Sequence, residues 1–327
     1  MSVTLSTPPV ADAAPTPLPP RLRTPRGGRG RGRSARATPY LMMVPAIVLF
    51  VAFFVIPLAY AVFLSFQTRS VAGGSAYGRR EQVFAGLDNY AAALSNPELL
   101  ASFGRLAVYG VVVVPLTLLL ALAFALLLDH PRTTLASPSR IAILLPYAVP
   151  GVIASLLWGF LYLPSTTPFN AVTGIFGIPP TDFLGYPEVF GSLANIAIWG
   201  HVGFNMIIMF TALRAVPAEI YDSARVDGCS EWQIAWKIKI PLIAPALVLS
   251  GLFAFIGTLQ VYSEPTILRT LTSSISSTFF PLMSIYRDAF HTDNVYGAAA
   301  TSVVLAIGTL VVSLLVLKFF QRRAFTE

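Results

Sequence analysis

Long apolar runs alternate with shorter polar ones through most of this chain. From Tyr40 to Phe66 there is no charged residue, and five further runs cover about 103–128, 141–163, 190–213, 243–262 and 296–320. Each reaches the roughly 20 apolar residues that a helix needs to cross a bilayer. The pattern predicts an all-α polytopic membrane protein, with six transmembrane helices in one membrane domain over residues 39–327. The first run is longer than a secretory signal core and has no small-residue cleavage site after it, so it is expected to stay in the mature protein. Pro45 and Pro57 in the first run, Pro146 and Pro150 in the third and Pro245 in the fifth are expected to be absorbed as kinks. Residues 67–100 read as a polar connection. Residues 1–38 are rich in Pro, Ala, Gly and Arg and cannot bury enough apolar surface to order, so they read as a disordered basic cytoplasmic tail.

One polar island, residues 214–241, carries helix signals of its own. Pro217 suits the first turn of a helix, with Glu219 and Asp222 near its positive end. Gly228 can take the left-handed conformation that ends a helix. Ser230 and Gln233 read as a capping box opening a second helix, which Pro241 is expected to stop. The island is thus a helix–Gly–helix hairpin outside the membrane, between the fourth and fifth runs. Ile220, Tyr221, Ala224, Trp232 and Trp236 are its residues available to bury.

Composition supports the membrane reading: 11% of residues are charged and 55% hydrophobic, with a mean hydropathy of +0.70, where a soluble domain carries about a quarter charged residues. The net charge of +7 raises nucleic acid as a partner, and the arginine-rich tail raises an RGG-like role. The placement of the charge argues against both. Seven arginines, from Arg21 to Arg36, lie in the tail, and most of the rest flank apolar runs, which is the pattern that orients membrane helices. With the N-terminus inside, 16 of the 22 Lys and Arg fall on the inner side. Without the tail the balance is 9 to 6. That assignment makes both termini and the 214–241 hairpin cytoplasmic. The lone Cys229 excludes an internal disulfide, and His130, His201 and His291 match no metal-ligand spacing. No phosphate-binding loop of the form G-x-x-x-x-G-K-[ST] occurs, so if ATP drives this protein, another polypeptide binds it. No catalytic residue, metal or cofactor is expected.

The hairpin resembles the cytoplasmic "EAA" loop of ATP-binding-cassette importer permeases. That loop reads Glu-Ala-Ala, three residues, Gly, nine residues, then Ile-x-Leu-Pro. Here Asp222-Ser223-Ala224 stands for the triplet, Gly228 for the glycine, and Ile238-Lys239-Ile240-Pro241 for the ending. Asp222 is one methylene shorter than the usual Glu, Ser223 replaces an Ala, and Ile240 replaces the leucine. Gly86-Leu87-Asp88-Asn89-Tyr90 is similar to a Gly-Leu-x-Asn-Tyr stretch after the first span in the sugar-importer branch. Glu264-Pro265 is similar to a Glu-Pro that shapes the outer end in some sugar permeases. The resemblance is to maltose-transporter-type permeases and covers nearly everything from Tyr40 onward. It implies that Glu219, Asp222, Ser223, Ala224, Asp227, Gly228, Ile238 and Pro241 dock an ATPase subunit, with Asp222 meeting a basic group there. It also implies a second permease of similar fold, two copies of the ATPase and an external solute-binding protein. ATP binding would close the ATPase pair, and the loop would carry that motion to the spans.

Polar groups inside spans are costly and usually face a bundle interior or a wet path. His201 and Asn205 lie four apart on one helical face, and Thr258, Gln260 and Tyr262 cluster near the end of the fifth run. These five are the candidate substrate pathway. Carbohydrate needs hydroxyl partners and flat apolar faces, so Trp158, Tyr162 and Trp199 are candidate aromatic surfaces, with interfacial anchoring as their plainer role. An ion-coupled secondary transporter would need a mid-span carboxylate, and none of the six run centres has one. A permease of the same type for peptide, amino acid or phosphate shares the loop and stays open as an alternative.

Overall fold

The computed structural model describes residues 34–71, 80–131 and 133–324. Residues 1–33, with most of the expected tail, and Arg79 and Arg132 lie outside the described residues. The chain divides into two compact units, residues 1–56 and 57–327. In the first, helix α1 (Ser34–Phe50) leads into a π turn at Val51–Val55, so helix begins a few residues ahead of the expected boundary at 39.

The second unit carries the remaining helices. α2 (Ile56–Ser65) ends at a two-stranded antiparallel hairpin, β1 (Gln67–Val71) with β2 (Arg80–Phe84). After it come α3 (Asp88–Ser95), α4 (Pro97–Asp129), α5 (Ala136–Leu144), α6 (Gly151–Tyr162) and α7 (Pro168–Ile175). The long α8 (Val189–Ala215) precedes α9 (Ala218–Val226), α10 (Glu231–Ile234) and α11 (Ile240–Leu242). α12 (Ala244–Leu259), α13 (Ser263–Leu268), α14 (Pro281–Phe290) and α15 (Val295–Ala324) complete the chain. The all-α membrane class holds. Among the described residues five helices are long and apolar enough to cross a bilayer, or six if the pair α5–α6 is counted as one span.

That pair corrects the expected continuous third span at 141–163: its two halves are bent by 96°. Pro146 has no N–H to donate, and Pro150 disfavours helical geometry at Val149, which is extended at φ −78°, ψ 124°. Leu145–Ala148 tightens into a 3-10 turn instead. The fifth span also differs. Helix stops at Leu259, residues 260–262 are irregular, and α13 then carries the span to Leu268. Pro265 cannot donate to the Val261 carbonyl, so one helical bond is missing at that point.

The connection at 67–100 is more ordered than expected. Asn96 caps α4, its Oδ1 accepting from the Glu98 N–H at 2.9 Å and the Leu99 N–H at 3.4 Å, and Pro97 and Glu98 fill the first turn. The helix therefore starts six residues before the apolar run at 103. Asn89 ties the end of α2 to β1, donating to the carbonyls of Ser65 and Gln67 at 2.8 Å each. The Tyr90 hydroxyl meets Ser65 Oγ at 2.6 Å. The Gly-Leu-x-Asn-Tyr stretch is thus a structural clasp.

α4 and α8 form the spine of this unit. Ala121 and Ala125 of α4 are fully buried against a cluster that includes Met206, Met209 and Leu213 of α8. Small residues let membrane helices approach closely, where packing replaces the hydrophobic effect as the driving force. Val108, Val111 and Leu119 on the other face of α4 are exposed, as expected for a helix with lipid on one side.

Candidate functional site

The hairpin and a cavity are the two places where sequence-predicted site residues gather. α9 ends as expected: Asp227 closes it, Gly228 has φ +84°, and the Cys229 N–H reaches back to the Ala224 carbonyl at 3.0 Å. The capping box is complete, with Ser230 N–H to Gln233 Oε1 at 2.8 Å and Gln233 N–H to Ser230 Oγ at 3.3 Å. Pro217 sits at the N-cap, one residue before the first turn, because its ψ of 135° is extended.

Pro241 does not stop the second helix. A π turn at Ala235–Lys239 carries it on into α11, the Ile240 N–H bonding the Ala235 carbonyl five residues back. Pro57 follows its π turn in the same register, with the Ile56 N–H on the Val51 carbonyl. In both places the wider turn absorbs the bond that proline cannot make.

Of the apolar hairpin residues, Tyr221 and Ala224 are buried with Ile234, packed by Ile238 and Cys229. Ile220, Trp232 and Trp236 are not buried: Trp232 is 71% and Trp236 54% exposed, their rings 5.6 Å apart. Only one face of so short a hairpin can meet the rest of the chain. Glu219, Asp222, Ser223, Asp227 and Pro241 are exposed. Arg225 bridges Asp222 and Glu231 at 2.8 Å each, so Asp222 already has a basic partner within the chain. The Arg225 guanidinium holds the Glu231 carboxyl below its usual range.

Sequence reasoning missed the ion pair beneath the hairpin. Lys239 Nζ lies 2.6 Å from Asp129 Oδ2, and both side chains are 5% exposed. The same ammonium sits 5.0 Å from the centre of the Tyr221 ring, and Arg214 is 3.9 Å from Asp129 Oδ1. Burial, and then the Asp129 carboxylate, push the Tyr221 phenol up. The ends of α4 and α8, the hairpin and the start of the fifth span therefore meet at one carboxylate. The π turn belongs to this arrangement, since one residue fewer in the turn would rotate Lys239 away by about 100°.

The cavity, ≈ 560 Å³, lies between α4, α8, α12 and the two helix breaks. His201, Asn205, Thr258, Gln260 and Tyr262 all line it. The α5–α6 break contributes Tyr147, and the α12–α13 break contributes Gln260, Val261 and Tyr262. Irregular backbone at membrane depth is tolerated where it lines a cavity, and broken helices mark binding sites in transporters. Asn205 is buried, and its Nδ2 donates to the His201 carbonyl at 2.9 Å. Its Oδ1 has no partner among the described residues. Thr258 Oγ1 bonds the Ala254 carbonyl at 2.8 Å, and His201 Nδ1 meets the Ala197 carbonyl at 2.8 Å.

The aromatic walls are not the expected ones. Trp158 packs against Tyr162, Phe169 and Trp199 behind the cavity lining, in the same core cluster as Tyr109 and Val261. Tyr109, Tyr147, Phe204 and Phe253 line the cavity instead, beside the expected Tyr262. Tyr147 and Phe204 stack at 4.8 Å, and Phe253 lies 6.2 Å from Phe204. No group of residues able to hold a metal occurs among the described residues.

Residues 121–325 match the family of binding-protein-dependent transport system inner membrane components. The chain is 29% identical over 292 residues to the sn-glycerol-3-phosphate transport system permease protein UgpA of Salmonella choleraesuis (strain SC-B67), covering 87% of this chain and 94% of that one. It is 31% identical over 229 residues to the osmoprotective compounds uptake permease protein GgtC of Synechocystis sp. (strain ATCC 27184 / PCC 6803 / Kazusa), covering 68% and 78%. The fold is similar to a chain of a bacterial ABC transporter involved in the import of the acidic polysaccharide alginate. The TM-score is 0.74 at 21% identity, over 90% of this chain and 98% of that one. A second structure, of that type of transporter in complex with an alginate pentasaccharide-bound periplasmic protein, gives 0.76 at 20% identity, over 90% and 97%.

Proposed function

The chain belongs to the family of binding-protein-dependent transport system inner membrane components, and from that membership we propose that it forms half of the membrane pathway of an ATP-driven sugar importer. Its partners in this reading are a second permease of similar fold, a pair of separate ATPase subunits and an extracytoplasmic solute-binding protein. The N- and C-termini and the 214–241 hairpin are cytoplasmic. The chain makes and breaks no bonds. It converts motion at the hairpin into a change at the cavity.

The observation that carries this reading is that the same helices hold both features. α4 runs from Thr117 at the cavity to Asp129 at the ion pair, about 18 Å at 1.5 Å per residue. α8 runs from Asn205 to Arg214 in the same direction. An ATPase that grips Glu219, Asp222, Ser223, Asp227 and the exposed tryptophans would pull on the cavity walls through Lys239 and Asp129. Asp222 shares Arg225 and is 68% exposed, so Asp222→Ala should weaken ATPase binding by less than about 1 kcal/mol. Tyr, Asn, Gln and Thr side chains around the cavity suit a hydroxylated solute.

The test is purification. The chain alone should hydrolyse no ATP above background, and with its ATPase it should co-purify and support hydrolysis. Robust hydrolysis by this polypeptide alone would contradict the reading. The orientation has its own check. In a Cys229→Ser background, Ile178→Cys should react with an impermeant thiol reagent on intact cells and Val226→Cys should not. Labelling at 226 would reverse the topology.

A further inference from the structure

We propose that the cavity selects a hydroxyl-rich solute without negative charge and refuses phosphorylated or carboxylated ones. The inference rests on reading the cavity as the solute path, and it goes further in fixing the charge of what passes. Among the described residues that line it, Glu264 is the only Asp or Glu, and there is no Lys or Arg. The basic side chains around the same helices are committed elsewhere. Arg105 donates to the carbonyls of Phe279 and Thr278 at 2.7 and 2.9 Å. Arg287 is held by Glu98 and Asp288, and Lys239 and Arg214 by Asp129 at the hairpin end.

A helix N-terminus could replace a cation, and α6 begins beside the cavity. A carboxyl stands beside that end, since a Cβ on Gly151, its first residue, would lie 3.9 Å from Glu264 Oε1. An incoming anion would meet a carboxylate there, with low-dielectric walls to strengthen the repulsion.

The unpaired group in the wall points the same way. Asn205 Oδ1 is a buried acceptor without a donor among the described residues, and buried polar groups are nearly always paired in the working state. Once the amide turns toward the cavity, a hydroxyl can donate to it. A carboxylate or phosphate group only accepts and gains nothing there, so Asn205 favours hydroxyls while the discrimination against charge rests on Glu264. The stacked Tyr147 and Phe204 rings, with Phe253 beside them, offer flat apolar surface for the C–H faces of a sugar ring.

The purified permease–ATPase complex, without the solute-binding protein so that only the cavity selects, can be examined by saturation-transfer NMR. The probes are trehalose, trehalose 6-phosphate and the ammonium sugar trehalosamine at equal millimolar concentration. Trehalose should give transfer and the phosphate on the order of a hundredfold weaker binding. Asn205→Leu should remove at least about tenfold of the trehalose affinity, and Glu264→Lys should bring the phosphate within about tenfold of trehalose. Equal or stronger binding of the phosphate by the parent complex, or an ammonium sugar bound as weakly as the phosphate, overturns the proposal and leaves the importer reading standing. So does unchanged discrimination in Glu264→Lys. No transfer from any probe overturns the reading of the cavity as a carbohydrate path, and the proposal with it.

Discussion

Replacing Lys239 by Met should abolish solute uptake and destabilise the protein by about 3–5 kcal/mol, because it strands the Asp129 carboxylate in a buried site. The Arg214 guanidinium, 3.9 Å away and 68% exposed, is too far out to take its place. The double replacement Asp129→Leu with Lys239→Met removes both charges and should recover most of the stability, since a buried pair and its apolar isostere are often close in free energy. Uptake should stay low in the double variant if the pair ties the hairpin to α4, because an apolar contact does not fix direction. Thermal unfolding and ATP-driven uptake for the single and double variants separate the two roles. Full uptake in the double variant would make the pair a matter of stability alone. A single variant within about 1 kcal/mol of the parent would mean that the charges are not buried.

Gly228→Val should uncouple ATP hydrolysis from uptake even where the spans insert normally. At φ +84° an added Cβ meets no atom within 4 Å, so the penalty lies wholly in the backbone. A β-branched residue there costs on the order of 1–3 kcal/mol, enough to swing α9 into another conformation. Gly228→Asn is the control, because Asn tolerates left-handed geometry, and it should retain most of the uptake. Parent-like uptake from Gly228→Val would reduce the hairpin to a connector.

Both sites differ in how far they were legible in the sequence. The hairpin was readable because its signals are local: a glycine after nine helical residues, and Ser230 three residues before Gln233. The α4 cap was equally local, in Asn96-Pro97-Glu98, but lay outside the apolar run that marked the span. The Asp129–Lys239 pair was not readable, because 110 residues separate its members and each looked like an ordinary flanking charge. Pro146 and Pro150 were visible, yet the sequence does not distinguish a kink from a 96° break, and that break contributes Tyr147 to the cavity. His201, Asn205, Thr258, Gln260 and Tyr262 were found together because polar side chains in apolar runs stand out. Tyr147, Phe204 and Phe253 were missed because aromatic residues there do not.

The account turns on an ATPase gripping the hairpin, and a crosslink measures that directly. Val226 is 88% exposed on α9. In a Cys229→Ser background, Val226→Cys carrying a short photoreactive thiol label should crosslink to the ATPase subunit in the assembled complex, with a yield that changes when ATP is added. Ile178→Cys, in the segment between α7 and α8, should give no ATPase crosslink. A crosslink from 178 and none from 226 would contradict the account.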